Sequence, residues 1–260
     1  MVRSFLMVTA CVAYFSVGLG CSSKAGDDGG GSGGSSGSSG ANQLVDQRDG
    51  KKYGTKDFGG EIWMTENLAF GQEYRPGVVL EAGAIKRWCP QTYPDPSTPS
   101  PCDLYGGYYT WATAMALPAT CDSQDCSNQV QSPHQGICPT GFHVPSKQEF
   151  QALGDFLATE TGLSAVDDKG KFTQLGAVLR VNSACTTPGT EAPSVGFNGM
   201  PSGYANDTGY VSADGAWTYW QTTTEDAGYS YGWGIACADD RFGEGFFYKD
   251  NAVPLRCVKD

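Results

Sequence analysis

The sequence predicts a loop-rich α+β domain, held together by disulfides and carried outside the cytoplasm behind an export signal. Three observations point there. Glycine is abundant, at 36 of 260 residues, while charged residues make up only 17%. Such a chain favours turns and loops over long surface helices, whose outer faces need Lys, Glu and Arg. Its ten cysteines follow or lie within an N-terminal segment that reads as a secretion signal. An even set of cysteines in an exported chain argues for disulfides. The candidate elements mix strands with about two helices.

Met1 to Gly20 read as a signal peptide, with Arg3 as the positive region and Phe5 to Leu19 as an uncharged, mostly apolar stretch. Fifteen residues are too short to span a bilayer comfortably. The stretch ends in Val17-Gly18-Leu19-Gly20-Cys21, small residues before a cysteine, which resembles a bacterial lipobox. Cys21 is therefore expected to carry the lipid (palmitate among its acyl chains) and to become the mature N-terminus. Residues 21 to 41 then form a tether, because nothing between Ser22 and Ala41 has a large apolar side chain. A Gly/Ser coil of about 20 residues reaches roughly 25 Å. Ser22 after the cysteine resembles the pattern of lipoproteins sent to an outer membrane. The expected location is the outer membrane or cell surface, with the lipid as the only membrane contact.

The domain is expected over 42–260. Tyr53 to Phe58 and Glu61 to Leu68 flank Gly59-Gly60, the step that a tight hairpin needs because both central residues take φ > 0. Residues 71 to 104 read as a long loop. Tyr108 to Leu117 has helix-forming composition and stops at Pro118. The best helix start is Pro145-Ser146-Lys147-Gln148-Glu149, where Ser146 and Glu149 form a capping box. Phe150, Leu153 and Leu157 follow at helical spacing, so a helix is predicted over about 147–159. Beyond residue 180 the chain reads as short strands and Gly-rich loops, ending in a strand at Pro254 to Val258.

Ten cysteines, less Cys11 of the signal and the lipidated Cys21, leave eight. Eight allow 105 connectivities; proximity favours Cys89–Cys102 and Cys121–Cys126. A zinc site is the competing use, but no C-x-x-C pair exists and only His134 and His143 are available. Net charge is −11, which excludes a basic nucleic-acid footprint and repels anionic lipid surfaces.

The landmarks together resemble the Fibrobacter succinogenes major paralogous domain, a family of bacterial surface lipoproteins. They are Asp46 to Tyr53 (DQRDGKKY), Ile62 to Leu68 (IWMTENL), Tyr105 to Met115 (YGGYYTWATAM), Cys138 to Ser146 (CPTGFHVPS), Pro201 to Tyr204 (PSGY), Tyr219 to Glu225 (YWQTTTE) and Leu255 to Asp260 (LRCVKD). They run in order over nearly all of residues 46 to 260. The family in turn looks like the C-type-lectin-like fold, in the branch shared with formylglycine-generating proteins. That resemblance implies small antiparallel sheets and a terminal strand returning to the start of the domain. It also implies Cys138–Cys257, and Cys185–Cys237 then follows by elimination.

The fold hosts binders and an oxidase alike, so function must come from the residues. A formylglycine-generating-like enzyme needs a reactive late cysteine pair, and here Cys237 and Cys257 are both needed to complete the disulfide set. A Ser-His-Asp site around His143 lacks a G-x-S-x-G elbow, and His143 reads as a structural histidine bonded to backbone. The chain is therefore expected to be no enzyme and to hold no cofactor, with calcium the one ion left open. Its candidate ligands are Asp207 beside Asn206, and Asp239, Asp240 and Glu244, because calcium wants six to eight oxygens. Eight aromatics fall between residues 204 and 233. Tyr219 and Trp220 are assigned to the core. Trp217, Tyr229, Tyr231 and Trp233 flank Gly and Asp/Ser turns and are assigned to ligand contact, with Trp and Tyr rings as platforms for sugar or protein. The expected function is ligand capture or adhesion, binding polysaccharide or a surface protein through the C-terminal loops. A structural envelope protein without a ligand is the alternative.

Overall fold

The computed structural model describes residues 42–74, 77–89, 102, 105–181, 185, 194–206, 211–212, 216–226 and 228–260. Cys21 and the tether lie outside the described residues, as does Asp207. The described part is a loop-rich α+β fold of small, mostly antiparallel sheets with three α-helices, one more than expected.

The domain opens on an antiparallel meander of β1 (Asn42–Val45), β2 (Lys52–Phe58) and β3 (Glu61–Met64). Phe58 faces Glu61 across the turn, and Gly59 and Gly60 take φ of 74° and 98°, the left-handed region that glycine enters without a Cβ clash. The expected loop 71–104 contains two strands, β4 (Gln72–Tyr74) and β5 (Lys86–Trp88), paired in parallel. The helix expected over 108–117 is cut short. Tyr108 and Tyr109 form β6 (Tyr108–Tyr109), which bonds to β5, and only α1 (Trp111–Ala114) is helical. Thr110 caps α1 in an extended conformation, and Ala116 at φ 54° turns the chain away before Pro118. Sheet pairing by two buried tyrosines has overridden helix propensity.

Next comes β7 (Phe142–His143), followed by α2 (Lys147–Thr161). Here the predicted capping box is present. Ser146 Oγ accepts from Glu149 N at 3.2 Å, and Ser146 N donates to the Glu149 carboxylate at 2.7 Å. The short α3 (Leu175–Leu179) was not foreseen; all five of its residues are buried. After β8 (Tyr204–Ala205) and β9 (Val211–Ser212), the C-terminal region forms an antiparallel three-stranded sheet in place of short strands. Its strands are β10 (Trp217–Asp226), β11 (Tyr229–Ala236) and β12 (Phe242–Tyr248). The expected last strand is split into β13 (Val253–Pro254) and β14 (Val258–Lys259). Leu255 and Cys257 lie between them and accept from Leu68 N and Met64 N.

The end of the chain closes the fold. β14 lies between β3 and β7, with Val258 opposite Trp63 on one side and His143 on the other. A core of aromatic rings fills the space between this sheet, α2 and the C-terminal sheet. Phe150 stacks on Trp220 and Trp233, each at 6.3 Å, and touches Trp63 at 4.7 Å. Large rings do the filling that long helices do elsewhere, each removing 150–250 Å² from water. The disulfides are Cys89–Cys102, Cys121–Cys126, Cys138–Cys257 and Cys185–Cys237. A buried pair, Lys249 with Glu225, adds a polar tie, and Glu225 also accepts from Cys126 N at 2.5 Å. Among the described residues no helix is long and apolar enough to cross a membrane.

Candidate functional site

The C-terminal sheet has two faces with different chemistry, because side chains alternate along a strand. Trp220, Trp233 and Ile235 point toward α2 and are buried. Trp217 and Tyr219 point to the opposite face, where a cleft of about 470 Å³ opens. Its floor is glycine. Gly234 and Gly243 lie opposite one another in β11 and β12, and a Cβ on Gly234 or Gly245 would collide with the Tyr219 ring. Only bare backbone lets that ring lie against the sheet. Tyr204, Trp217, Tyr219 and Phe247 form a row, with successive ring centroids 5.5, 5.3 and 6.2 Å apart.

Charged side chains ring the cleft: Lys171, Asp239 and Arg241. Arg241 Nε donates to Asp239 at 2.8 Å, and that hydrogen bond holds the Asp239 carboxylate below its ordinary range. Burial raises the Tyr219 phenol, so it stays a neutral donor. The arrangement offers flat apolar rings beside fixed charged donors and acceptors, the mixture found in small-molecule and glycan sites.

Of the four predicted contact residues, the structure brings only Trp217 into this cleft. Trp233 is a correction: it is 3% exposed and belongs to the core. It lies directly across from Trp220, so its side chain shares that strand's inner face. Tyr231 is half-buried under Lys147, whose Nζ sits 4.4 Å above the ring. Tyr229 is 37% exposed and lies outside the cleft, in an aromatic cluster with Tyr248 and with Phe246, which also lines the cleft; those two are 59% and 68% exposed. Tyr219, assigned to the core from sequence, is half-buried on the cleft face instead, and Lys171, Arg241 and Phe246 were not singled out as contacts. The alternation of W-T-Y-W in β10 was the available signal, since residues 217 and 219 must share a face.

The three acidic candidates among the described residues are each paired with a cation of the chain. Asp239 bonds Arg241, Asp240 bonds Arg180 at 2.8 Å, and Glu244 bonds Lys147 at 2.6 Å. Among the described residues no three His, Cys, Asp or Glu side chains gather to hold a metal. His143 also departs from expectation. Its ring nitrogens meet two carboxylates instead of backbone, Glu149 at 2.6 Å and Asp260 at 2.9 Å. The Glu149 hydrogen bond raises the His143 pKa. Burial pushes the Glu149 pKa up, yet bonds from His143 and Ser146 outweigh it and leave Glu149 below its ordinary value.

Residues 57–259 match the model of the Fibrobacter succinogenes major domain. The chain belongs to this family. The match takes in every element from the end of β2 to β14, and so includes the whole cleft. A Fibrobacter succinogenes major domain with these disulfides fits a surface-associated setting. No curated protein and no solved structure matches the chain.

Proposed function

We propose that this Fibrobacter succinogenes major domain is a non-catalytic, lipid-anchored surface module that captures polysaccharide, or a glycan-bearing surface protein, in the aromatic cleft of its C-terminal sheet. The observation that carries this reading is the row Trp217–Tyr219 on a glycine floor, edged by Lys171, Asp239 and Arg241. Trp and Tyr rings bury large areas with little loss of side-chain freedom, which suits a ligand of shallow, repeating shape. Two features support a binder over an oxidase of the formylglycine-generating kind. All eight cysteines of the domain are paired, Cys237 and Cys257 included, and the described residues that line the cleft include no Cys, Ser or His. Because Asp239, Asp240 and Glu244 are matched with cations of the chain, capture is expected to need no calcium.

The test is retention of the full-length protein on a panel of insoluble polysaccharides with calcium and with chelator. Retention on at least one polymer, equal in both conditions, supports the proposal. Failure on every polymer would favour the structural-envelope alternative. The anchor is tested separately. Cys21→Ala should move the protein from the detergent phase to the aqueous phase, since stable attachment needs two acyl chains. Unchanged partitioning would remove the lipid from the account.

A further inference from the structure

A second hollow, of about 330 Å³, is bordered by Lys51, Lys52, Thr65, Glu66, Asn67 and Arg256. Arg256 is its unusual wall. The side chain is 1% exposed, and its guanidinium lies 4.3 Å from the Phe197 ring and 5.1 Å from Trp220. Nε and Nη2 both donate to Asn67 Oδ1, at 3.2 and 2.9 Å. Nη1 donates to the Phe197 carbonyl, and Nη2 also reaches the Asn198 carbonyl at 3.4 Å. Every acceptor is neutral. These four bonds engage four of the five guanidinium N–H groups, none with a carboxylate.

A charge taken out of water without a counter-charge is costly. Burial pushes the Arg256 pKa down to about 9, with only the field of Glu66 opposing it. Two lysines on the same hollow add to the positive potential, and Lys52 is exposed. On a chain of net charge −11 this is a local inversion of sign. Long-range repulsion disfavours a polyanion, while the hollow itself favours a single negative group. Glu66, which accepts from Gly54 N at 2.5 Å, also lines the hollow and supplies it with an acceptor group suited to hydroxyls. The volume is at the lower end for ligand sites, the scale of one ring.

We propose that this hollow binds a small hydroxylated monocarboxylate, of the size of a single hexuronate, whose carboxylate balances the positive charge of Arg256, Lys51 and Lys52 that Glu66 alone offsets among the residues lining it. The ring hydroxyls meet Glu66 and Asn67, and Lys51 and Lys52 draw the anion in. This site is separate from the aromatic cleft and does not depend on it.

The experiment is calorimetric titration of the full-length protein in detergent with galacturonate and with galactose. Galacturonate should bind at least tenfold more tightly, and added salt should weaken it. Replacements of Arg256 threaten the core, so the exposed Lys52 carries the test. Lys52→Glu should lower galacturonate affinity at least fivefold with an unchanged melting temperature, and Trp217→Ala should leave that affinity alone. Equal binding of both sugars, binding of neither, indifference to Lys52→Glu, or loss in Trp217→Ala would each overturn the proposal.

Discussion

Trp217 and Trp220 stand three residues apart in β10, yet one opens on a cleft and the other lies at 0% exposure among Phe150 and Phe197. Trp220 Nε1 donates to Asn67 Oδ1 at 2.8 Å, so its burial leaves no orphaned donor. Truncating such a ring removes its transfer free energy and leaves a cavity. Trp220→Ala and Trp233→Ala should each cost roughly 3–5 kcal/mol of stability, read as a lowered midpoint in denaturant. A Trp233→Ala midpoint near wild type would return Trp233 to the surface. The sequence showed that this region is rich in rings but not which of them faces out. Flanking Gly and Asp/Ser residues suggested exposure for Trp233, but those glycines line the sheet floor. The pairing of Trp233 with Trp220 decides its face, and register is a long-range property that a single strand's composition does not reveal.

Among the elements, α2 was legible to within two residues at its C-terminal end because its start is chemically self-contained: Ser146 and Glu149 satisfy one another's backbone donors. The Gly59-Gly60 hairpin was legible for the same local reason. Elements that depend on distant partners were not. Tyr108 and Tyr109 become strand only because β5 and β13 pair with them, and β10 to β12 support one another. His143 ties three elements together, joining β7 to the cap of α2 and to Asp260 beside β14. Its folded pKa is raised above the ordinary value of about 6.5. Stability from this clamp is therefore full below about pH 6.5 and is lost as pH rises through the folded value. Glu149 is lowered, so its share is present above the ordinary carboxylate range and is lost as pH falls through its folded value. The unfolding free energy lost in His143→Gln should accordingly be largest in mildly acidic solution and shrink toward pH 9. A difference that is flat with pH, measured by urea unfolding, would remove the clamp.

At the scale of the whole molecule, covalent ties replace part of what a helix-poor core lacks. Cys138–Cys257 closes a separation of 119 residues and Cys121–Cys126 one of 5. In the chain-entropy account the long loop constrains the unfolded state far more. Replacing Cys138 and Cys257 with Ala should therefore cost more, within about 2–5 kcal/mol, than the same change at Cys121 and Cys126. Equal losses by calorimetry would mean that local packing, and not loop closure, sets the contribution. Cys138–Cys257 fixes the end of the chain, and the floor of the cleft is backbone paired on both sides of β11, so a ligand there need order little of the protein.

The central claim is that this face binds through Trp217. The most direct measurement is the affinity of full-length Trp217→Ala for the polysaccharide that retains the wild type, with its melting temperature taken in parallel. A loss of about 1–3 kcal/mol in binding, with a melting temperature close to wild type, is the predicted result. Unchanged affinity, or a loss that only tracks unfolding, would contradict it.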